Sequence, residues 1–275
     1  MKIDNRDKYI FEQLNRHYEE AKQLGYEIFA LVLQGSQNYG LDIYRDDYKS
    51  DVDSKLIVLP TLDDLIEERK PISYTHLLDN DEHIDVKDIR IMWDCFKKQN
   101  VNFIEILFSD YYIVNPKYLE YWERLRSMAE DLTHINPIQT VKCLFGMTMQ
   151  KYEALKHPYP TIKWKIDKWG YDGKQLHHVI RINDFIKRYV KGEEFKSCLY
   201  PSQSILRELE DAKLNKYSLK EAEDIAYRMM NETKFIKDSF IQNNSECDTS
   251  QFYHNLDNIR FNITKDFLKR VVTKM

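Results

Sequence analysis

Asp51 and Asp53 stand one residue apart at the head of an apolar run, DVDSKLIVL. In an extended strand alternate side chains share a face, so the two carboxylates project together while Val52 turns to the core. Held side by side they repel, and each raises the other's pKa unless a cation lies between them. A hard divalent ion, Mg²⁺ or Mn²⁺, suits such a pair, because it takes oxygen ligands and keeps positions for water and substrate phosphates. Upstream, the apolar stretch 29–33 stops at Gln34-Gly35-Ser36. Glycine there lets the backbone approach a ligand closely, and a short hydroxyl with free backbone N–H groups suits phosphate oxygens. The segment 31–59 therefore reads as a phosphate cradle facing a metal site.

Two metals at one site, and an attacking hydroxyl that must lose its proton, call for a third acid. The run EHIDVK at 82–87 offers Asp85 on a short alternating strand, facing away from Ile84 and Val86. Asp88 is assigned instead to opening the next helix as an N-cap or first-turn acid. Asp85 is the predicted third member.

The elements that must hold these residues follow from spacing. A helix is predicted over 5–24, closed by Gly25, then strands over 26–33, 52–59 and 83–87, with Pro60 ending the second and Thr61-Leu62-Asp63-Asp64 starting a helix. From about residue 88 onward helical spacing takes over, at 89–99, 101–109, 116–130, 137–156, 173–190, 202–209, 218–241 and 249–272. The predicted class is α+β, a small mixed-sheet domain over 1–130 followed by an all-helical domain over 131–275.

The order Gly35-Ser36, then Asp51-Val52-Asp53, then a separate Asp85 resembles the DNA polymerase β-like nucleotidyltransferase superfamily, which has a palm-like mixed sheet. More narrowly, the blocks GSQNYGLDIYRDDYKSDVDSKLIVL, HIDVKDIRIMWDCFKKQNVNFIEILFSD and GYDGKQLHHVIRINDFI are similar to a group of bacterial and phage predicted nucleotidyltransferases labelled as RNA-repair-associated. The resemblance covers roughly residues 29–191, with a longer gap than usual between Ser36 and Asp51. It implies that Gly35 and Ser36 hold the β- and γ-phosphates of a nucleoside triphosphate such as ATP. It further implies that Asp51 and Asp53 ligate both metals, and that Asp85 binds the catalytic metal and positions or deprotonates the acceptor hydroxyl. Lys55, on the same strand face as Asp53, would reach a phosphate or balance the acids.

One helix in the second half carries more than core residues. Lys174, His178 and Arg181 are spaced by four and three and share a face, with Leu176, Val179, Ile180 and Phe185 covering the opposite side. The basic stripe would suit a triphosphate or a nucleic-acid backbone, and the alternative is a solvated face beside a core histidine. His177 and His178 are adjacent and point apart, which argues against zinc. Glu105 is expected to pair with a lysine or arginine in a structural role, and 44–49 to form a mobile loop near the site mouth. The nineteen tyrosines are read mainly as core and interface.

Composition narrows the classes. A net charge of −4 argues against a broadly basic nucleic-acid binder and leaves room for a local basic groove. No apolar run is long enough to span a bilayer, and Met1-Lys2-Ile3-Asp4 opens no signal peptide, so cytoplasmic residence is expected. Four scattered cysteines, with no C-x-x-C pair, are read as free thiols. There is no P-loop motif and no Ser-His-Asp or Cys-His hydrolase context. The expected function is transfer of a nucleoside monophosphate to a hydroxyl acceptor with release of pyrophosphate, an RNA or tRNA end being the favoured acceptor. The alternatives are an inactive nucleotide- or RNA-binding module, or a toxin, antitoxin or defence protein modifying a protein or small molecule.

Overall fold

Apolar residues at 10, 14 and 21 give the first helix a single buried stripe, and that stripe decides which face of the neighbouring sheet it covers. The computed structural model describes residues 3–45, 48–79 and 82–273. The chain divides into two units, Met1–Ile135 together with Asp248–Met275, and Asn136–Cys247.

In the first unit α1 (Ile3–Gln23) leads into β1 (Glu27–Gln34). A hairpin of β2 (Tyr44–Arg45) and β3 (Tyr48–Lys49) forms where the sequence predicts a loop, with residues 46 and 47 outside the described residues. Then come β4 (Asp53–Leu59), α2 (Leu62–Ile66) on its Thr61 capping box, β5 (Ser73–Leu77) and β6 (His83–Asp88). After α3 (Ile89–Lys97) and α4 (Val101–Ile104), β7 (Tyr112–Val114) completes a sheet of order β5-β6-β4-β1-β7. Only the β4–β6 pair is parallel. The three predicted strands are its centre. The two edge strands carry no pattern to find, since β5 is mostly exposed on both faces and β7 is three residues long.

Leu31, Leu33, Leu56, Val58, Ile84 and Val86 pack with Ile10 and Leu14 of α1 in one cluster, which also takes in Val52. The bulge in β1 between Ile28 and Ala30 sets Phe29 against Tyr118 and Trp122, beside α5 (Leu119–Ser127) and α6 (Ala129–His134).

The last helix of the chain corrects the predicted domain split. Its apolar stripe, Leu256, Ile259, Ile263 and Phe267, marks burial without naming a partner, and the partner is the first unit. Trp93 Nε1 donates to the Leu256 carbonyl at 3.0 Å, Lys97 pairs with Asp257 at 2.7 Å, Tyr121 bonds Asp266, and the Arg270 guanidinium lies 4.8 Å from the Tyr118 ring centre.

The second unit is helical in all its described elements: α7 (Pro137–Ala154), α8 (Lys163–Trp169), α9 (Gly173–Tyr189), α10 (Phe195–Leu199), α11 (Leu206–Lys213) and α12 (Leu219–Asn243), so that the C-terminal helix of the first unit is α13 (Ser250–Val272). The predicted α+β organisation is the one observed. Helix α9 is central, packing on α7, α11 and α12 and burying Leu176, Val179, Ile180 and Phe185. Its first residue, Gly173, lies so close to α11 that a Cβ there would stand 2.1 Å from the Ala212 carbonyl oxygen. Gly173→Ala is therefore expected to cost about 2 kcal/mol by overpacking, read as a lowered urea midpoint. An unchanged midpoint would show that α9 and α11 can separate without loss. Among the described residues no helix is long and apolar enough to cross a membrane.

Candidate functional site

The antiparallel register of β1 and β4 pairs Gln34 with Asp53, so the turn that follows β1 and the acids that precede β4 lie at the same end of the sheet. Gly35 opens that turn with φ 93° and ψ −161°, a conformation that side chains disfavour, and a Cβ built there would meet nothing within 4 Å. Residues Ser36–Tyr39 then make a single 3₁₀ turn closed by Gly40.

Two residues that sequence reasoning missed hold this turn to the acids. Gln37 is buried, and its Nε2 donates to the Asp51 carbonyl at 2.7 Å. Arg6 of α1 grips Asp42 with two N–H groups, at 2.7 and 2.9 Å, and donates to the Gln37 carbonyl. The carboxylate of Asp42 raises the Arg6 pKa further still above its already high value, so this clamp stays charged. A glutamine in a polar loop and an arginine on a remote helix give no local signal of either role.

Asp51 is exposed, Val52 is in the core, and the Asp53 side chain is 32% exposed, which matches strand alternation. Asp53 Oδ1 accepts from the His83 backbone N–H at 3.1 Å and lies 3.0 Å from His83 Nδ1. Asp85 stands opposite Lys55 in the parallel β4–β6 ladder, on the same sheet face as Asp53. Its two oxygens face two ammonium groups, Lys55 Nζ at 3.1 Å and Lys87 Nζ at 2.9 Å. Lys55 itself is only 2% exposed and lies 4.0 Å from the Phe103 ring centre, so it balances the acid cluster from within.

Asp88 has the structural place assigned to it: it is buried, caps α3 by accepting from Arg90 N–H, and pairs with the Arg90 guanidinium at 2.7 Å. Glu105, expected against a lysine or arginine, accepts from the Tyr39 hydroxyl and so ties the turn after β1 to the segment following α4.

Beneath the acids runs a buried polar line. His17 Nδ1 lies 2.9 Å from Ser54 Oγ, and His17 Nε2 lies 3.1 Å from Glu82 Oε2. Glu82 also accepts from Arg16 and from the Val52 N–H, at 3.2 Å for the latter. The partner order is that of a hydrolase triad, yet Ser54 and His17 are wholly buried and no substrate reaches them. The line anchors the backbone between Asp51 and Asp53.

Chemically, Asp51 and Asp53 fit a hard cation: they are oxygen donors at the entrance of one strand. Asp85 is drawn to lysines, and among the described residues no three His, Cys, Asp or Glu side chains are grouped closely enough to hold a metal ion.

In the second unit Lys174 is exposed while His178 and Arg181 are partly buried. Burial, then the neighbouring His177, Lys151, Arg181 and Lys174, holds the His178 pKa well below the ordinary imidazole value. Lys151 of α7, absent from the sequence reading, joins this cluster, and burial followed by Lys174 lowers its pKa. His177 is a core histidine: Nδ1–H donates to the Leu209 carbonyl at 3.0 Å, and burial pushes its pKa down to about 3.

That shift makes the fold acid-sensitive. Below an unfolded value near 6.5 the unfolded chain binds a proton at His177 that the folded chain refuses down to about pH 3, so stability falls as pH drops. At about pH 5 the share of this loss due to His177 is about 2 kcal/mol relative to pH 7, and His177→Gln should remove that share in urea titrations while the share of His178 remains. An equal slope in the variant would place the acid lability elsewhere.

No family profile matches the chain, and no curated protein matches it at a significant level. Among solved structures it is similar to a nucleotidyltransferase-like protein from Exiguobacterium sibiricum 255-15, with 11% identity, a TM-score of 0.29, and coverage of 83% of this chain and 74% of that one. A likeness that loose carries no argument, and the fold stands on the topology described above.

Proposed function

We propose that the first unit is a nucleotidyltransferase that moves a nucleoside monophosphate from a triphosphate to a hydroxyl acceptor, with an RNA or tRNA end as the favoured acceptor. The observation that carries this reading is the β1–β4 register, which sets the Gly35-Ser36 turn beside Asp51 and Asp53. Gly35 and Ser36 receive the terminal phosphates, and Asp51 and Asp53 hold Mg²⁺ or Mn²⁺. Bound there, such an ion would supply charge neutralisation at the leaving pyrophosphate and would acidify the acceptor hydroxyl. Lys55 and Lys87 balance Asp85 until the acceptor arrives, when Asp85 positions the hydroxyl and takes its proton. In the second unit Lys174, His178 and Arg181 serve phosphate groups of a nucleic-acid backbone.

Pyrophosphate release from each of the four ribonucleoside triphosphates, measured with Mg²⁺, with Mn²⁺ and with a chelator, and with or without bulk RNA, tests the reading. Metal-dependent release supports it, and RNA dependence supports the acceptor. The pairing of Asp85 with two lysines favours one other reading, a module that binds nucleotides without turnover. Triphosphate binding with no release under any of these conditions would select it.

A further inference from the structure

Strand β5 leaves one edge of the sheet open. Its antiparallel register on β6 runs without a break from Ser73 opposite Lys87 to Leu77 opposite His83. Just outside it the Asp88 N–H donates to the Ile72 carbonyl and the Leu78 N–H to the Glu82 carbonyl, both at 2.9 Å. Alternate residues of an antiparallel strand bond the same neighbour, so Tyr74 and His76 join Ile72 and Leu78 on β6. The N–H and C=O groups of Ser73, Thr75 and Leu77 therefore point away from the sheet, and among the described residues no backbone group meets them there. Proteins blunt such edges with charge, proline, a bulge or shortness. The opposite edge, β7, is three residues long, whereas β5 has five and holds no charged residue, no proline and no bulge. Ser73, Tyr74, Thr75 and Leu77 are exposed, Leu77 to 66%.

This edge is complementary to itself. Thr75 is the middle of its three outward residues, so a twofold axis through Thr75 sets Thr75 against Thr75 and Ser73 against Leu77 of the other copy. Each of these pairs can exchange two N–H···O bonds. The flanks select the same direction. Lys70 precedes the strand and Asp79 follows it, both exposed and neither in an ion pair among the described residues, while Arg69 is engaged with Asp64 and Glu67. Antiparallel pairing brings the basic end of one copy beside the acidic end of the other, and parallel pairing would set like beside like. A strand of different charge order would satisfy the backbone and lose the ends.

We propose that the chain forms a twofold dimer by antiparallel pairing of β5 with β5, which joins two five-stranded sheets into one. Thr75 lies opposite Asp85, and Lys87 Nζ donates to Ser73 Oγ at 2.8 Å, so the outward residues of β5 carry their side chains on the face of Asp85 and Lys87. Directly opposed residues of an antiparallel pair point to one side. The dimer thus sets both acid-bearing faces on the same side of a continuous sheet. Nothing in the pairing draws on nucleotidyl transfer, and the two readings stand or fall separately.

Sedimentation of the full chain over about 5–200 µM should pass from monomer to dimer, as befits a small interface. Thr75→Pro spares the β5–β6 ladder, because the Thr75 N–H points outward, and removes the central pair; the dimer Kd should rise at least about thirtyfold. Lys70→Glu and Asp79→Lys should each weaken the dimer, and the two together should restore it. A cross-link tests the register without proline. At the axis the two Cα atoms of position 75 would stand about 5.5 Å apart, within disulfide reach. Thr75→Cys should therefore give a covalent dimer on oxidation, in a Cys247→Ser background that removes the exposed native thiol. Ser73→Cys in the same background should not, since position 73 faces position 77 and lies far from its own copy. A monomer at every concentration, a dimer as tight in folded Thr75→Pro as in the unaltered chain, no cross-link through position 75, or equal cross-linking through position 73 would each overturn the pairing.

Discussion

Asp53→Asn should lower pyrophosphate release by at least about a hundredfold while moving the melting temperature by no more than a degree or two. The two halves of this expectation have separate causes. Asparagine keeps an oxygen that can accept the His83 N–H bond now made by Asp53 Oδ1, so the β4–β6 junction stays closed. It removes the charge that would bind a divalent ion, and a neutral amide is a poor ligand for Mg²⁺. Asp51→Asn should act in the same direction with even less structural consequence, since Asp51 is exposed. Asp88→Asn supplies the contrast. Asp88 is buried against Arg90 at the start of α3, so its loss should appear in stability and leave turnover per folded molecule intact. Steady-state pyrophosphate assays beside thermal melts decide the matter. Wild-type turnover in both Asp51→Asn and Asp53→Asn would remove the metal assignment, whatever becomes of Asp88.

How much of this site could be read in advance depends on which interactions are local. Strand alternation is a local rule, and it correctly sent Val52 inward and Asp51 and Asp53 outward. Capping is also local, which is why Asp88 could be separated from Asp85 before any coordinates. What could not be read is cross-strand register. The parallel alignment that sets Lys55 opposite Asp85, and so turns a predicted metal ligand into the partner of two lysines, depends on how two distant segments slide together. The same holds for Gln37 and Arg6, whose partners are backbone carbonyls and an aspartate brought near by the fold. Helical spacing found α13 but could not say which unit its apolar stripe would meet. Helix α8 went unseen because it buries nothing, and burial is what creates the periodic signal.

Glu82→Ala should destabilise the first unit by about 2–4 kcal/mol, the cost of leaving two buried polar groups unsatisfied, while Arg16, with its side chain 42% exposed, is left to solvent. Glu82 is buried and serves three donors at once: Arg16, the His17 ring and the Val52 N–H. A carboxylate only accepts, so His17 Nε2 carries a proton towards it, and in the neutral ring Nδ1 then accepts from the Ser54 hydroxyl. Alanine would leave the Val52 N–H and the His17 ring unsatisfied inside the core and release Arg16 from its partner. At about 2–4 °C per kcal/mol the melting temperature should fall by about 10 °C. Glu82→Gln keeps one acceptor oxygen for Val52 and should lose markedly less, since the imidazole can exchange tautomers and the serine hydroxyl can turn to follow. Because Val52 sits between Asp51 and Asp53, the alanine variant should also lose pyrophosphate release well below its melting point, where it is still folded. A melting temperature within a degree or two of wild type would mean that water takes the place of the carboxylate, and that the line from His17 to Val52 does not fix the acids. A lowered melting temperature with full turnover would limit Glu82 to the core and leave the placement of Asp51 and Asp53 to Gln37 and the β1–β4 ladder.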